Sequence, residues 1–217
     1  MHKKSHLEER LASCGDIVTV ANLQDKNMKR AKDLKEYLDF GAIFGNNNPV
    51  HLEIGCGKGK FVIETAAANP DINFVACEKI SNVLIEALER AIEEKSKNIH
   101  FLNCAAEVLE KYFDCGSVEK IYLNFSNPLP KEGYKKQRLT HPRFLKIYKN
   151  ILKGGGEIVQ KTDDLPFFEF SLESLRAEGF EIVEECRNWL GGDVETEHEA
   201  KFKAQGKSIY RLVAKKV

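Results

Sequence analysis

The sequence predicts an α/β fold: a doubly wound, mainly parallel seven-stranded sheet with helices on both faces and an antiparallel last strand. Short apolar runs rich in Val, Ile, Leu and Phe alternate with amphipathic stretches of about ten residues or more, the pattern of βαβ units. Gly55, Gly57 and Gly59 sit between the first regular apolar run and the first amphipathic stretch, where doubly wound folds bind ligands. A length of 217 residues suits one domain with a short extension.

Residues 1–48 read as a mixed-charge N-terminal extension that closes on Gly45-Asn46-Asn47-Asn48-Pro49, a turn or linker signal, and residues 49–217 read as the folded domain. The pattern predicts a strand over Val50–Ile54, a helix over Lys60–Ala68 stopped by Asn69-Pro70, and a strand over Ile72–Cys77. Ser81 reads as the cap of a charged helix reaching about Lys95, supported by Glu86 and Arg90 at i,i+4. Then come a strand at Ile99–Leu102, a helix at Ala105–Phe113 and a strand at Val118–Phe125. A Pro-punctuated loop leads to a helix from about His141 to Leu152, and Gly154-Gly155-Gly156 turns into a strand over Glu157–Lys161. A helix near Phe167–Glu178 and strands at Phe180–Cys186 and Ser208–Ala214 complete the expectation.

Composition narrows the classes. With 42% hydrophobic and 30% charged residues the chain is an ordinary globular one, not a disordered one. No apolar run approaches the ~18 residues of a membrane span, and no apolar segment follows the N-terminal lysines as a secretory signal would require. A cytoplasmic protein without a membrane partner is expected. The six cysteines include no C-x-x-C pair, so they read as reduced thiols, with Cys56, Cys77 and Cys104 as small hydrophobes. The six histidines show no ligand spacing, and no metal is expected.

The charge balance is less plain. Thirty-three basic and 33 acidic residues give zero net charge, which at face value argues against a nucleic-acid partner. Resolved along the chain, it is a cancellation. Residues 131–153 hold eight basic side chains against Glu132 alone, whereas residues 163–199 hold twelve acidic side chains against Arg176 and Arg187. The basic band begins in a loop and includes Tyr134, so phosphate-backbone binding competes with a solvated helix face as its explanation. The basic segment Lys26 to Lys35 is read the same two ways.

Glu53-Ile54-Gly55-Cys56-Gly57-Lys58-Gly59 is either a tight strand-to-helix turn or a cofactor loop. Glycines permit positive φ and let a ligand approach the backbone. Glu78, 23 positions after Gly55, ends the second of these strands and is placed to accept from ribose hydroxyls. The G-x-G-x-G spacing puts Lys60 where a dinucleotide fingerprint needs glycine, so S-adenosylmethionine fits better than NAD. Glu53 would then face the cofactor's cationic end. After the strand at Val118–Phe125, the stiff loop Leu123 to Lys131 presents polar groups suited to a substrate. Asp163 and Asp164 offer a functional carboxylate and a helix N-cap, with Asp164 the expected cap. Thr196-Glu197-His198-Glu199 reads as a capping box, a functional motif, or both. His198 reads as a surface or packing residue, and Trp189, the single tryptophan, as a packing anchor.

The segments Pro49 to Gly59, Leu123 to Arg138, Lys161-Thr162-Asp163 and Thr196 to Glu199 resemble, in order and spacing, the bacterial tRNA (guanine-N7)-methyltransferase family over about residues 43 to 213. The resemblance implies a Rossmann-like class I methyltransferase fold. It implies methyl transfer from S-adenosylmethionine to N7 of the variable-loop guanine of tRNA, position 46, by a monomer or homodimer. Cofactor contacts would come from Glu53, Gly55, Gly57, Glu78, Asn103, Ala105, Ala106 and Asn127. The guanosine would be held by Lys131, Asp163, Thr196, Glu197 and Glu199, with Asn127 and Asp163 as the catalytic pair.

Four departures stand out. The family usually has Asp where this chain has Asn127, Trp where it has Leu129 and Asp where it has Ala105, and the basic run after Lys131 is altered. An active but slower enzyme is expected. A tRNA-binding homologue with weakened chemistry and, further off, an NAD-dependent oxidoreductase are the competing readings.

Overall fold

The computed structural model of the chain describes residues 4–20 and 35–217. The basic segment that begins at Lys26 lies outside the described residues, apart from Lys35, whose Nζ donates to the Glu110 carbonyl at 3.0 Å. The chain forms two compact units that divide after Tyr112.

In the first unit the described elements are α1 (Leu7–Ser13), β1 (Val18–Val20), α2 (Phe40–Phe44), β2 (Val50–Ile54), α3 (Lys60–Ala68), β3 (Asn73–Cys77), α4 (Ser81–Glu93), β4 (Ile99–Asn103) and α5 (Leu109–Tyr112). β1 pairs with β4, β4 with β3 and β3 with β2, all parallel. Every residue of β2, β3 and β4 is buried. Strands covered on both faces favour apolar side chains, so the buried His51, Glu53, Asn73, His100 and Asn103 are the exceptions that stand out in them. β1 is the addition to the expected pattern: it comes from the extension and brings the strands among the described residues to eight. α1 is fixed to α4 by the Arg10 guanidinium, which forks onto both Glu89 carboxylate oxygens at 2.7 Å.

Local expectations fail here where tertiary partners intervene. Ser81 does not cap α4; Ile80 occupies the cap position, and Ser81 Oγ donates instead to Asn103 Oδ1 at 2.8 Å. Glu86 pairs with Lys4 and Lys58 rather than Arg90, which reaches Glu94 and Glu64. The expected helix over 105–113 is a short 3-10 turn, Ala106–Val108, followed by the single turn of α5.

The second unit holds β5 (Val118–Asn124), α6 (Pro142–Ile151), β6 (Leu152–Thr162), α7 (Leu165–Ala177), β7 (Phe180–Cys186), α8 (Glu197–Ala204) and β8 (Tyr210–Lys216). β5 and β6 are parallel, and β8 runs antiparallel between β6 and β7. The last strand is therefore antiparallel, as expected. β6 starts earlier than the glycine run suggested. Its ladder to β5 slips between Val118 and Lys120, and the three glycines lie in the strand at that irregularity. A Cβ at Gly156 would stand 2.9 Å from the Glu119 carbonyl oxygen, so only glycine fits there. α7 begins with the expected cap: Asp164 Oδ1 accepts from Phe167 N at 2.8 Å.

Candidate active site

The glycine loop leaves β2 with three left-handed residues, Gly55 (φ 84°), Gly57 (φ 58°) and Gly59 (φ 81°). They serve two purposes. A Cβ at Gly59 would lie 2.8 Å from Ala87 Cβ, so this glycine lets the start of α3 pack against α4. A Cβ at Gly55 or Gly57 would meet nothing within 4 Å. There the positive φ is what calls for glycine, and the backbone lies beside open space.

Glu78 closes the loop on its β3 side. Its Oε2 accepts from Gly57 N at 3.3 Å and its Oε1 from Ile80 N at 2.8 Å, so the half-buried carboxylate is held in one orientation. Asn103 supports it from β4: its Nδ2 donates to the Glu78 carbonyl at 2.7 Å while its Oδ1 accepts from Ser81. The Asn103 amide thus orders the loops at the ends of β3 and β4. Ala105 and Ala106 follow at the start of the 3-10 turn, Ala106 buried. Glu53 is buried within β2. Burial pushes the Cys56 thiol well up, with Glu53 and Glu78 adding to the effect, so it is an inert thiol and not a nucleophile.

In the second unit the loop after β5 is bent at both ends by non-glycine residues in the left-handed region, Phe125 (φ 48°) and Leu129 (φ 46°). Such conformations persist only where their surroundings hold them, and they cluster at functional sites. Here the holds are explicit. Phe125 N donates to the Lys161 carbonyl at 2.8 Å, and its ring stacks on His198 at 6.0 Å. Asn127 Oδ1 accepts from Leu129 N at 3.1 Å, and Arg138 Nη2 donates to the Leu129 carbonyl at 3.2 Å. Between Phe125 and Leu129 Asn127 stands exposed, and so does Lys131 two residues beyond Leu129.

Arg138 belongs to the basic band by sequence, but its guanidinium is buried, 4.6 Å from the Phe170 ring centroid. The accessible charge therefore rests on residues such as Lys131, Lys136 and Lys146, all exposed. Lys153, by contrast, is paired with Glu119.

Asp163 is partly buried at the end of β6 and pairs through Oδ2 with Lys207 Nζ at 2.8 Å. Thr196 is a true N-cap, its Oγ1 accepting from Glu199 N at 2.9 Å, and Glu197 is exposed in the first turn of α8. Glu199 is placed differently from its motif neighbour. It is 1% exposed, with Oε2 2.9 Å from Lys161 Nζ and Oε1 2.7 Å from Lys203 Nζ. Burial alone would raise its carboxyl, and the two lysines more than reverse this, holding it below its ordinary value. Trp189 packs between Arg211, 4.4 Å from its ring, and Gly192, as an anchor should.

Sequence reasoning missed the roles of Lys161, Phe125 and Arg138. Lys161 appeared only as part of a motif, and nothing local marks a residue for positive φ or a basic residue for burial. Among the described residues no group of three or more His, Cys, Asp or Glu side chains could hold a metal, and no helix is long and apolar enough to cross a membrane.

Solved methyltransferases share this fold. An antibiotic-related methyltransferase aligns with TM-score 0.61 and 18% identity over 84% of this chain and 97% of its own. The 16S rRNA methyltransferase KamB aligns with TM-score 0.63 and 14% identity over 83% and 94%. The architecture is that of the Rossmann-like class I methyltransferases.

The family is narrower than the fold. The family model described as "Putative methyltransferase" matches residues 47–212. The tRNA (guanine-N(7)-)-methyltransferase of Geobacillus thermodenitrificans is 45% identical over 176 residues, 79% of this chain and 82% of that one. The enzyme of that name from Listeria innocua is 45% identical over 177 residues, 80% and 83%. The chain belongs to the tRNA (guanine-N7)-methyltransferase family.

Proposed function

We propose that the chain transfers a methyl group from S-adenosylmethionine to N7 of the variable-loop guanine of tRNA, giving 7-methylguanosine. The observation that carries this reading is the loop of residues 125–131, bent at Phe125 and Leu129 and exposing Asn127 and Lys131 from a fixed backbone. Family membership names the reaction such a loop would serve. An NAD-dependent oxidoreductase has no support left from either source.

Bound S-adenosylmethionine supplies an electrophilic methyl on a sulfonium. The open backbone at Gly55 and Gly57 would accept the methionine moiety, Glu78 the ribose hydroxyls, and Glu53 would face the cationic end. Asn103 would keep Glu78 in register, and Ala105 and Ala106 would bring backbone groups to the adenine. The open backbone at Gly55 and Gly57 and the fixed Glu78 carboxylate fit this group, whereas Glu53, 2% exposed, would act on its cationic end through the field of its charge and not by an open contact.

Guanine N7 carries a lone pair and no proton, so the chain need not supply a general base. Its task is to orient the base and to stabilise the positive charge that grows on the purine. Asn127 orients through its amide, Asp163 contributes negative charge, and Glu197 stands available in the first turn of α8. Lys131 and the exposed lysines after it would hold the tRNA backbone. Cytoplasmic action as a metal-free monomer or homodimer completes the reading.

Incubation with labelled S-adenosylmethionine and unmodified tRNA, followed by mapping, tests it. Label on a variable-loop guanine is expected; label on any other base contradicts it. Binding of tRNA with no transfer at all would favour a weakened homologue. The specific observation behind that second reading is Asn127, which lacks the family's carboxylate.

A further inference from the structure

Lys161 has no part in the chemistry above, yet its side chain is 0% exposed and its ammonium is surrounded by acceptors. Nζ lies 2.6 Å from Asp193 Oδ1, 2.9 Å from Glu199 Oε2 and 3.5 Å from the Val194 carbonyl. Its own carbonyl accepts from Phe125 N. Two positions further along the chain comes Asp163. One residue therefore meets three segments: the loop that exposes Asn127, the strand end that bears Asp163, and the stretch leading into α8 with Glu197. We infer that Lys161 is a positioning residue that fixes these three segments relative to one another, and that Glu199 is its counter-ion and not a contact to guanosine. The inference deepens the proposed function and rests on it for its kinetic readout.

A buried ammonium must recover its lost hydration from nearby acceptors, and replacement of such ion clusters by apolar side chains is often neutral for stability. Retaining a lysine here therefore calls for a reason other than packing. The neighbouring segment supplies one: none of residues 187–195 is fully buried, so apolar packing alone cannot fix that stretch. The ion cluster can. Lys203 extends it, bridging Glu199 at 2.7 Å and Glu195 at 3.0 Å. A second link runs through rings, because Phe125 lies 5.8 Å from Phe202 as well as against His198. The helix is thus tied to the Asn127 loop at two points. With both Glu199 oxygens facing lysines, the exposed carboxylate of the motif is that of Glu197.

The test uses the full chain with Lys161→Met, of similar length and no charge, and Lys120→Met as a control that removes an ordinary pair with Glu157 at 3.0 Å in the same sheet. Calorimetry with S-adenosylmethionine counts competent molecules, so that kcat is expressed per cofactor site. Amide exchange across residues 193–199 reads the geometry directly, and Trp189 fluorescence reports the adjoining stretch. For Lys161→Met the expectation is cofactor affinity within about twofold, kcat down by about a hundredfold, the loss a displaced reacting group produces, and faster exchange at Glu199. Lys120→Met should change none of these.

Should Lys161→Met fail to fold, Glu199→Gln decides. A positioning cluster predicts lower kcat and faster exchange over 193–199 with little change in KM for tRNA. A direct guanosine contact predicts raised KM with unchanged exchange, and would overturn the inference. So would a folded Lys161→Met protein with wild-type kcat per cofactor site and wild-type exchange. A wild-type chain that leaves tRNA unmethylated would instead remove the functional reading, and the exchange comparison would still decide the positioning role.

Discussion

Lys207 Nζ lies 2.8 Å from Asp163 Oδ2, and the same ammonium sits 4.3 Å from the centroid of the Phe202 ring. The lysine is 48% exposed, so the pair is screened and worth at most about 1 kcal/mol. It orients Asp163 without cancelling its charge. Asp163→Asn, which keeps the shape and removes the charge, is expected to lower kcat by about a hundredfold, the scale of one preorganised electrostatic group. Lys207→Met should change kcat by no more than about threefold on the same grounds of solvent screening. Single-turnover methyl transfer with each variant checks both.

Asn127 stands where the resemblance leads one to expect aspartate. Its Oδ1 accepts from Leu129 N at 3.1 Å, a bond that an aspartate at this position would keep. Asn127→Asp therefore adds a negative charge without disturbing the loop. Methyl transfer should rise by roughly threefold to thirtyfold, equivalent to about 0.7–2 kcal/mol of added stabilisation of the cationic purine. An unchanged rate would show that the position acts by orientation alone.

Arg138 and the exposed lysines should separate cleanly although all lie in one basic run. Arg138→Met removes the donor to the Leu129 carbonyl and the guanidinium over Phe170. The expected result is a kcat reduced by about tenfold or more, with the salt dependence of tRNA binding unaltered. Lys131→Ala and Lys136→Ala should instead weaken tRNA binding, each lowering the salt slope by about one unit. Binding isotherms at several salt concentrations, beside turnover, distinguish the two kinds of residue.

Acid should loosen β1 before the rest of the first unit. His100, buried in β4, shares a 2.8 Å hydrogen bond with Thr19 of β1, and burial lowers its pKa from 6.5 to about 4. The unfolded chain then takes up a proton near 6.5 and the folded one only near 4, so this contribution is complete above 6.5 and fades as the pH falls towards 4. The loss amounts to at most about 3 kcal/mol. Amide exchange in residues 18–20 should accelerate across that window, and His100→Leu should abolish the pH dependence.

The legible and illegible parts of this protein differ in kind. β2, α3 and β7 have the bounds read from the pattern, because burial on two faces, an Asn-Pro stop and alternating burial are local signals. The Asp164 cap was equally local. The positions of Ser81 and Glu86 were not: each has a partner distant in sequence, at Asn103 or Lys4, which leaves Arg90 to pair locally with Glu94 at 2.7 Å and with Glu64 at 3.3 Å. β1 is a β-branched run, Val18-Thr19-Val20, but its residues are only half covered, and its pairing with β4 is what marks it as part of the sheet. At the site, residue types were readable and their employment was not. Glu199 and Glu197 are one motif in sequence; Lys161 and Lys203 enclose the first and leave the second exposed.

In the proposed reaction a guanine nitrogen attacks the methyl group, and one substitution in the substrate removes that nitrogen. A tRNA whose variable-loop guanine is replaced by 7-deazaguanine has a C–H in place of the N7 lone pair, with the rest of the RNA unchanged. Single-turnover incubation with labelled S-adenosylmethionine should give near-stoichiometric label in the natural tRNA and none in the deaza form, with both binding equally. Equal labelling of the two would contradict the account.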